Sequence, residues 1–75
     1  MIFLMNFDPK RRRLHAMKVF QDQQRPLAQD ERLNWELQHL RAGDEREIVL
    51  LTAVDEDTLR RTHARYFAAA SLLTN

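Results

Sequence analysis

Residues 48–54, Ile-Val-Leu-Leu-Thr-Ala-Val, decide the fold, because they suit either a short helix or a buried strand. The run is apolar except for Thr52, and four of its seven members are β-branched, which favours a strand. The preceding residues, Asp44-Glu45-Arg46-Glu47, resemble a capping box, in which an aspartate begins a helix and a glutamate follows three residues later. An acidic first turn also suits the helix dipole. We therefore predict a helix over residues 45–53.

A strand over the same run would need a partner, and the only other strand candidate is the apolar segment Ile2–Phe7. If the two segments pair, within one chain or across a dimer, the fold is α+β, with strands near residues 2–7 and 47–54. Otherwise residues 1–7 form an apolar N-terminal arm that completes the core or contacts a second chain, since its large side chains cannot all face water. We predict the arm and keep the α+β fold as the alternative.

Working outward from this run, the sequence predicts three more helices. One covers residues 9–24, because Asp8-Pro9 combines a capping residue with a proline suited to the first helical position. Three large apolar residues share one face of it: Leu14, Met17 and Phe20. Pro26 ends this helix, because the residue before a proline avoids the α region.

The second predicted helix covers residues 27–42, and Gly43 follows it at the position where a C-terminal glycine belongs. A stripe of leucines runs along one face of this helix and is formed by Leu33, Leu37 and Leu40. Trp35 lies roughly on the opposite face. It is therefore either covered by another element of the same chain or exposed as an anchor for a partner.

The last predicted helix covers residues 56–73, with Asp55 as its N-cap. Its apolar face repeats at helical spacing through Leu59, His63, Tyr66, Ala70 and Leu73. Together these elements predict a mostly α protein. It is a single small domain over residues 1–75, with three to four helices and an apolar N-terminal arm.

Composition excludes several classes of function. The chain has 75 residues and no cysteine, so a large two-lobed catalytic cleft, disulfides and thiolate chemistry are excluded. Its three histidines show no metal-ligand spacing, its single glycine cannot make a phosphate-binding loop, and no set of acid, base and nucleophile stands out. We therefore predict a non-enzymatic protein without metal or cofactor. The apolar stretch at the start has five residues, too few to span a membrane, which predicts a cytoplasmic protein with no membrane partner.

Charge is unevenly distributed, although the net charge is only +1. The first 26 residues carry an excess of four positive charges, and the remaining 49 carry an excess of three negative charges. The strongest local feature is a basic run formed by Lys10, Arg11, Arg12 and Arg13. In the first turn of a helix these cations oppose the helix dipole, which indicates a role such as phosphate contact. Attraction between the two halves of the chain is the alternative explanation.

Residues 45–67 have the order helix, short turn, helix, with Val49 on the first helix, Ala53 at the turn and Leu59 on the second helix. This arrangement resembles a helix-turn-helix DNA-binding unit, in which those places hold a small residue, a glycine and a buried aliphatic residue. The resemblance implies that the second helix enters the major groove. Its exposed residues would contact DNA, namely Thr58, Arg60, Arg61 and Arg65. Alanine in place of the turn glycine departs from the pattern, and so do the acidic residues that begin the second helix.

Two hypotheses about function follow. The first is a small interaction or regulatory protein that binds another protein or itself, as a homodimer, through protein–protein contacts. The partner-binding residues are then predicted to be Trp35, Phe3, Leu4 and Phe7, because they are large apolar side chains without an assigned place in the core. The alternative is a small helix-turn-helix-like regulator that binds double-stranded DNA through residues 45–67, with a basic arm at residues 10–13.

Overall fold

Two helices and a three-stranded antiparallel sheet make up residues 1–67, the part of the chain that the structure, a computed structural model, describes. The elements follow the order β1 (Ile2–Asp8), β2 (Arg13–Phe20), α1 (Arg25–Ala42), β3 (Glu47–Thr52) and α2 (Glu56–Thr62). Single turns of 3-10 helix precede α1 at Asp22–Gln24 and follow α2 at Ala64–Tyr66. The fold is therefore α+β, and the predicted mostly α domain of three to four helices is wrong.

β1 is the central strand of the sheet, in the order β2-β1-β3, and it pairs antiparallel with both neighbours. All seven of its residues are buried, because α1 packs on one face of the sheet and α2 with its following turn on the other. A strand buried on both faces is apolar at successive positions, which hides the alternation typical of a half-buried strand. The segment predicted to be an N-terminal arm is thus the centre of the fold.

Two small cores lie on the two faces of the sheet. The core under α1 contains Ile2, Leu4, Phe20 and Ala28, with Trp35, Ile48 and Leu50 packed against it. The core under α2 contains Phe3, Met5, Phe7, Leu59, Tyr66 and Phe67. In the second core the rings of Phe7 and Tyr66 meet edge to face, with 5.2 Å between their centroids.

The predicted helix over residues 9–24 is wrong, because the middle of this segment, Arg13–Phe20, forms β2. Phe7 pairs with Leu14, and Met5 pairs with Met17, so β2 uses three steps where β1 uses two. This β-bulge puts Leu14 and Met17 against the same core, although they are three residues apart. Residues three apart also share one face of a helix, and for this reason the spacing of Leu14 and Met17 predicts a helix from the sequence alone.

The predicted helix over residues 45–53 is also wrong, because this segment contains β3, which pairs with β1 along its whole length. The alternative prediction, with strands near residues 2–7 and 47–54, describes the observed pairing, and the pairing occurs within one chain. The helix-turn-helix interpretation of residues 45–67 fails for the same reason, since its first helix is a strand. The β-branched run outweighs the capping signal because β1 supplies the partner that a strand needs.

The other helix ends follow the predicted capping residues. Gly43 adopts φ +74° after α1, a left-handed conformation that favours glycine, and its N–H donates to the Leu40 carbonyl at 3.3 Å. Asp55 caps α2, because its side chain accepts a hydrogen bond from the Thr58 N–H at 2.8 Å. The predicted helix over residues 56–73 ends as an α-helix at Thr62. Two positions of its predicted apolar face, Ala70 and Leu73, lie outside the described residues.

Candidate interaction surfaces

The outer face of α1 carries a stripe of exposed leucines. Leu33, Leu37 and Leu40 are 55%, 37% and 76% exposed, and they lie within about 60° of one another around the helix axis. Ala28 and Trp35 occupy the opposite side and pack against the sheet. The usual amphipathic arrangement would turn such a stripe toward the core. These three leucines are called the leucine face below.

The leucine face has the spacing of a coiled-coil seam, with its three leucines at successive d, a and d positions. Polar residues flank it on both sides. Glu36 stands at a g position, and Arg41 stands at the e position five residues later. Glu36 accepts a hydrogen bond from Arg32 Nε at 2.8 Å, whereas Arg41 forms no ion pair within residues 1–67. Arg41 therefore carries a charge that no acid in this part of the chain neutralises.

The partner-binding residues predicted from the sequence lie in or against the core. Phe3 and Leu4 are completely buried in the centre of the sheet, and Phe7 is buried beside them. Trp35 is partly buried against the sheet, and its Nε1 donates a hydrogen bond to Glu31 Oε1 at 3.0 Å. These four side chains are thus occupied within the chain, and large exposed apolar side chains are found instead on the leucine face.

The basic run forms the tight turn between β1 and β2 and the first residue of β2, Arg13, instead of the first turn of a helix. Asp8 holds this turn in place. Its Oδ1 accepts hydrogen bonds from the N–H groups of Lys10 at 3.0 Å and Arg11 at 3.1 Å. Its Oδ2 accepts a hydrogen bond from the Arg11 guanidinium at 3.0 Å and lies 3.2 Å from Arg46 Nη1. These donors, the Arg11 backbone first, hold the pKa of Asp8 below its ordinary value, so the carboxylate stays charged.

A depression of about 360 Å³ lies beside this turn. The residues lining this basic depression are Asp8, Arg11, Arg13, Leu14, His15 and Arg46. The Arg46 side chain is only 14% exposed, and its Nε has no hydrogen-bond acceptor among the described residues. Sequence analysis missed Arg46, because it stands among acidic residues in an apparent capping box. Only the pairing of β3 with β1 brings it to Asp8.

A second polar contact links β1 to the end of α1. Asn6 Nδ2 lies 2.8 Å from His39 Nε2, and His39 Nδ1 lies 3.5 Å from Asp44 Oδ2. Asn6 is buried, and its Oδ1 has no partner among the described residues. The adjoining depression is lined by Glu36, His39, Leu40, Asp44, Arg46 and Ile48, and none of these is a serine, threonine or cysteine. The contact ties α1 to the sheet without placing a hydroxyl or thiol nucleophile beside the histidine.

The residues predicted to contact DNA lie on α2 and the turn after it, and they are engaged within the chain. Arg60 Nε donates to Glu56 at 3.0 Å, and its guanidinium lies 4.5 Å from the centroid of the Phe67 ring. Arg61 Nη2 donates to the Thr58 hydroxyl at 3.4 Å. These arginines support the local structure of α2, which is seven residues long.

Arg65 lies after α2, at the end of the sheet that also carries the basic depression. Its guanidinium donates to Glu47 and, at 2.9 Å, to the Tyr66 hydroxyl, which in turn donates to Glu47 at 3.1 Å. Burial first, and then the negative charge of Glu47, raise the pKa of Tyr66 above its ordinary value. The charge of Arg65 is therefore balanced by Glu47.

Among residues 1–67, no group of three or more histidine, aspartate or glutamate side chains is placed to hold a metal ion. None of the helices in this part of the chain has the length and apolar character needed to cross a membrane. Comparison with protein families, with curated proteins and with solved structures finds no match to the chain.

Proposed function

We propose that this protein is a small non-enzymatic interaction protein of the cytoplasm that acts through protein–protein contacts and forms a homodimer through its leucine face. The observation that carries the proposal is the exposure of three leucines at coiled-coil spacing on a helix whose opposite side packs on the sheet. Contiguous apolar patches larger than a few hundred Å² are rare on monomeric soluble proteins, and such patches mark interaction surfaces.

A second copy of α1 fits this face when the two helices run parallel about a twofold axis. Each leucine then meets its own symmetry mate, as at the seam of a parallel coiled coil. Glu36 faces Arg41 of the second copy, and the twofold axis repeats this ion pair. Gln29 and Asn34 hold the corresponding g and e positions one heptad earlier, where their amides can pair. Asp30, at the preceding a position, confines the seam to the last part of the helix.

Charge favours this orientation over the antiparallel one. In an antiparallel pair, g positions face g positions, which brings Glu36 toward the same residue of the second copy. Like charges in such positions destabilise a dimer, whereas the parallel arrangement gives each Glu36 a cation that has no acid of its own within residues 1–67. The complementary charges therefore support a second copy of this chain as the occupant of the leucine face.

The expected dimer is weak. The exposed fractions of the three leucines add up to between one and two whole leucine residues per chain. Full burial of one leucine contributes about 1.5–3 kcal/mol, so two chains together gain about 5–10 kcal/mol. Association costs about 4–15 kcal/mol, and each exposed Glu36–Arg41 pair adds less than about 1 kcal/mol. When the association cost is about 4 kcal/mol, the low end of its range, the upper part of this gain leaves about 4–8 kcal/mol. This net free energy corresponds to a dissociation constant in the micromolar to millimolar range.

Sedimentation velocity over concentrations from about 5 µM to about 1 mM tests the proposal, because this range spans the expected dissociation constant. The parent chain should change from monomer to dimer. Leu37→Glu should remain monomeric throughout and keep its far-UV circular dichroism spectrum, because Leu37 lies on the side of α1 away from the sheet. The matched control is Leu27→Glu, at a leucine that is 54% exposed and lies about a quarter turn from the leucine face; it should dimerise like the parent. A parent chain that stays monomeric, or a dimer that survives Leu37→Glu, would refute the proposal.

A charge exchange tests the parallel orientation. Glu36→Arg places two arginines opposite each other and should weaken the dimer. Adding Arg41→Glu to it restores opposite charges at each parallel contact and should restore the parent affinity. If the double variant is as weak as Glu36→Arg alone, the helices do not pair in parallel.

A further inference from the structure

The geometry points to a second binding site, for a phosphate group, in the basic depression between the β1–β2 turn and the start of β3. This inference does not depend on the leucine face, which lies on the outer side of α1. The depression is lined by one carboxylate, that of Asp8, and by four basic side chains, namely Arg11, Arg13, His15 and Arg46. The residues come from β1, the turn, β2 and the segment before β3, so the folded sheet assembles the site.

The charges in the depression match a dianion. Three guanidinium groups and one carboxylate line the depression, which leaves two positive charges unbalanced among the lining residues. Asp8 already accepts hydrogen bonds from the N–H groups of the turn and from the Arg11 guanidinium, and it forms an ion pair with Arg46. It therefore acts as an anchor for two of the three cations. Arg13 forms no ion pair within residues 1–67, and its guanidinium remains for a ligand.

The arginines suit phosphate in geometry as well as in charge. A guanidinium presents several N–H groups in a planar fork, which binds two phosphate oxygens at once. Arg46 is mostly buried and held by Asp8, so little side-chain entropy is lost when it meets an anion. A volume of about 360 Å³ corresponds to about twelve water molecules of about 30 Å³ each, whereas a phosphate group has only five heavy atoms. The site therefore has room for part of the molecule that carries the phosphate.

Within the turn, Arg12 occupies a position whose backbone conformation is more favourable for glycine. Arg12 has φ +56°, a left-handed conformation that is uncommon for residues with a Cβ atom. Arg12 does not line the depression, whereas its neighbours on both sides do. It is therefore a good internal control, because it has the same charge, the same turn and a different direction.

Titration of the ¹⁵N-labelled full chain with inorganic phosphate, against chloride at equal ionic strength, tests the site. Phosphate should shift the backbone amide signals of the β1–β2 turn and of Arg46 and saturate. Arg13→Gln should weaken this binding by about tenfold or more, since a charge-assisted hydrogen bond is lost. Arg12→Gln and the distant Arg25→Gln should each change it less than about twofold, because they alter only the screened long-range field. Arg13→Lys, which keeps the charge without the fork, should fall between the parent and Arg13→Gln.

A short DNA duplex in the same titration distinguishes the two sources of a phosphate group. Binding that is tighter than that of free phosphate, and that is weakened by Arg13→Gln, assigns the site to a nucleic-acid backbone. Binding no tighter than that of free phosphate assigns it to a small phosphorylated molecule. The inference is overturned if phosphate leaves the turn and Arg46 signals unmoved, or if Arg12→Gln and Arg13→Gln weaken binding equally. Equal effects would indicate only a diffuse positive potential.

Discussion

The orientation of α1 buries Trp35 against the sheet and exposes Leu33, so alanine substitutions at these two residues should change the free energy of unfolding by different amounts. Trp35 packs against the core under α1, so Trp35→Ala removes a large ring from an interface that also contains Ile48 and Leu50. Truncation of a fully buried aromatic residue to alanine costs about 3–5 kcal/mol, and the partial exposure of Trp35 reduces this to about 2–3 kcal/mol. Leu33 is 55% exposed and lies outside both cores, so Leu33→Ala should change the free energy of unfolding by less than about 0.5 kcal/mol.

The assay is urea and thermal unfolding followed by far-UV circular dichroism, at a concentration at which sedimentation velocity finds only the monomer, so that self-association does not contribute. A chain of this size has a free energy of unfolding of only about 4–11 kcal/mol. For a domain of 60–100 residues, each kcal/mol shifts Tm by about 4–8 °C, so Trp35→Ala should lower Tm by about 10–20 °C. Leu33→Ala should leave Tm within a few degrees of the parent. If Leu33→Ala destabilises the chain as much as Trp35→Ala does, the leucine face belongs to the core and both the orientation of α1 and the proposed dimer are refuted.

Two further predictions concern β1. Phe3→Asp should abolish the cooperative unfolding transition in urea, because it puts a carboxylate at a completely buried position of the central strand. The control variant Val54→Asp, at an exposed position, should fold normally. A cooperative transition in Phe3→Asp would contradict the buried placement of β1. The pKa of Asp8 in the folded chain lies below its ordinary value of 3.8, so its contribution to stability is fully present above that value and is lost as pH falls through the folded pKa. Urea midpoints measured from about pH 5 to about pH 2 should therefore fall, and Asp8→Asn should make the fall shallower. An unchanged slope would show that Asp8 is not stabilised in its charged form.

Local signals in the sequence predicted several element boundaries well. Gly43 and Asp55 were identified as capping residues, and both adopt the conformations or hydrogen bonds expected of caps. Such signals depend only on the identities of a few neighbouring residues, so they can be recognised in the sequence without knowledge of the fold. The helix over residues 27–42 was predicted for the same reason, and α1 begins only two residues earlier.

The pairing of β2 with β1 was not predictable in the same way, because it depends on the register between two strands and not on signals within one segment. The bulge in β2 is an example. Leu14 and Met17 share a core only because β1 offers Phe7 and Met5 as their partners at a shifted register. Without that partner strand, their spacing is indistinguishable from a helical one. The basic depression could not be recognised for a related reason, since its lining residue Arg46 comes from the segment just before β3, far along the chain from the turn.

The leucine face has a physical explanation in the same sheet. The strands supply Ile2, Leu4 and Leu50 to the interface with α1, so the helix needs few large side chains there. Ala28 and the single ring of Trp35 are the contacts that α1 contributes to it. The leucines on the opposite side have no place in this core, and helix propensity alone does not favour leucine over lysine, arginine or glutamate at exposed positions. Pairing with a second copy of α1 is an arrangement in which their burial contributes free energy, and the glutamate and arginine beside them determine which way the second helix runs.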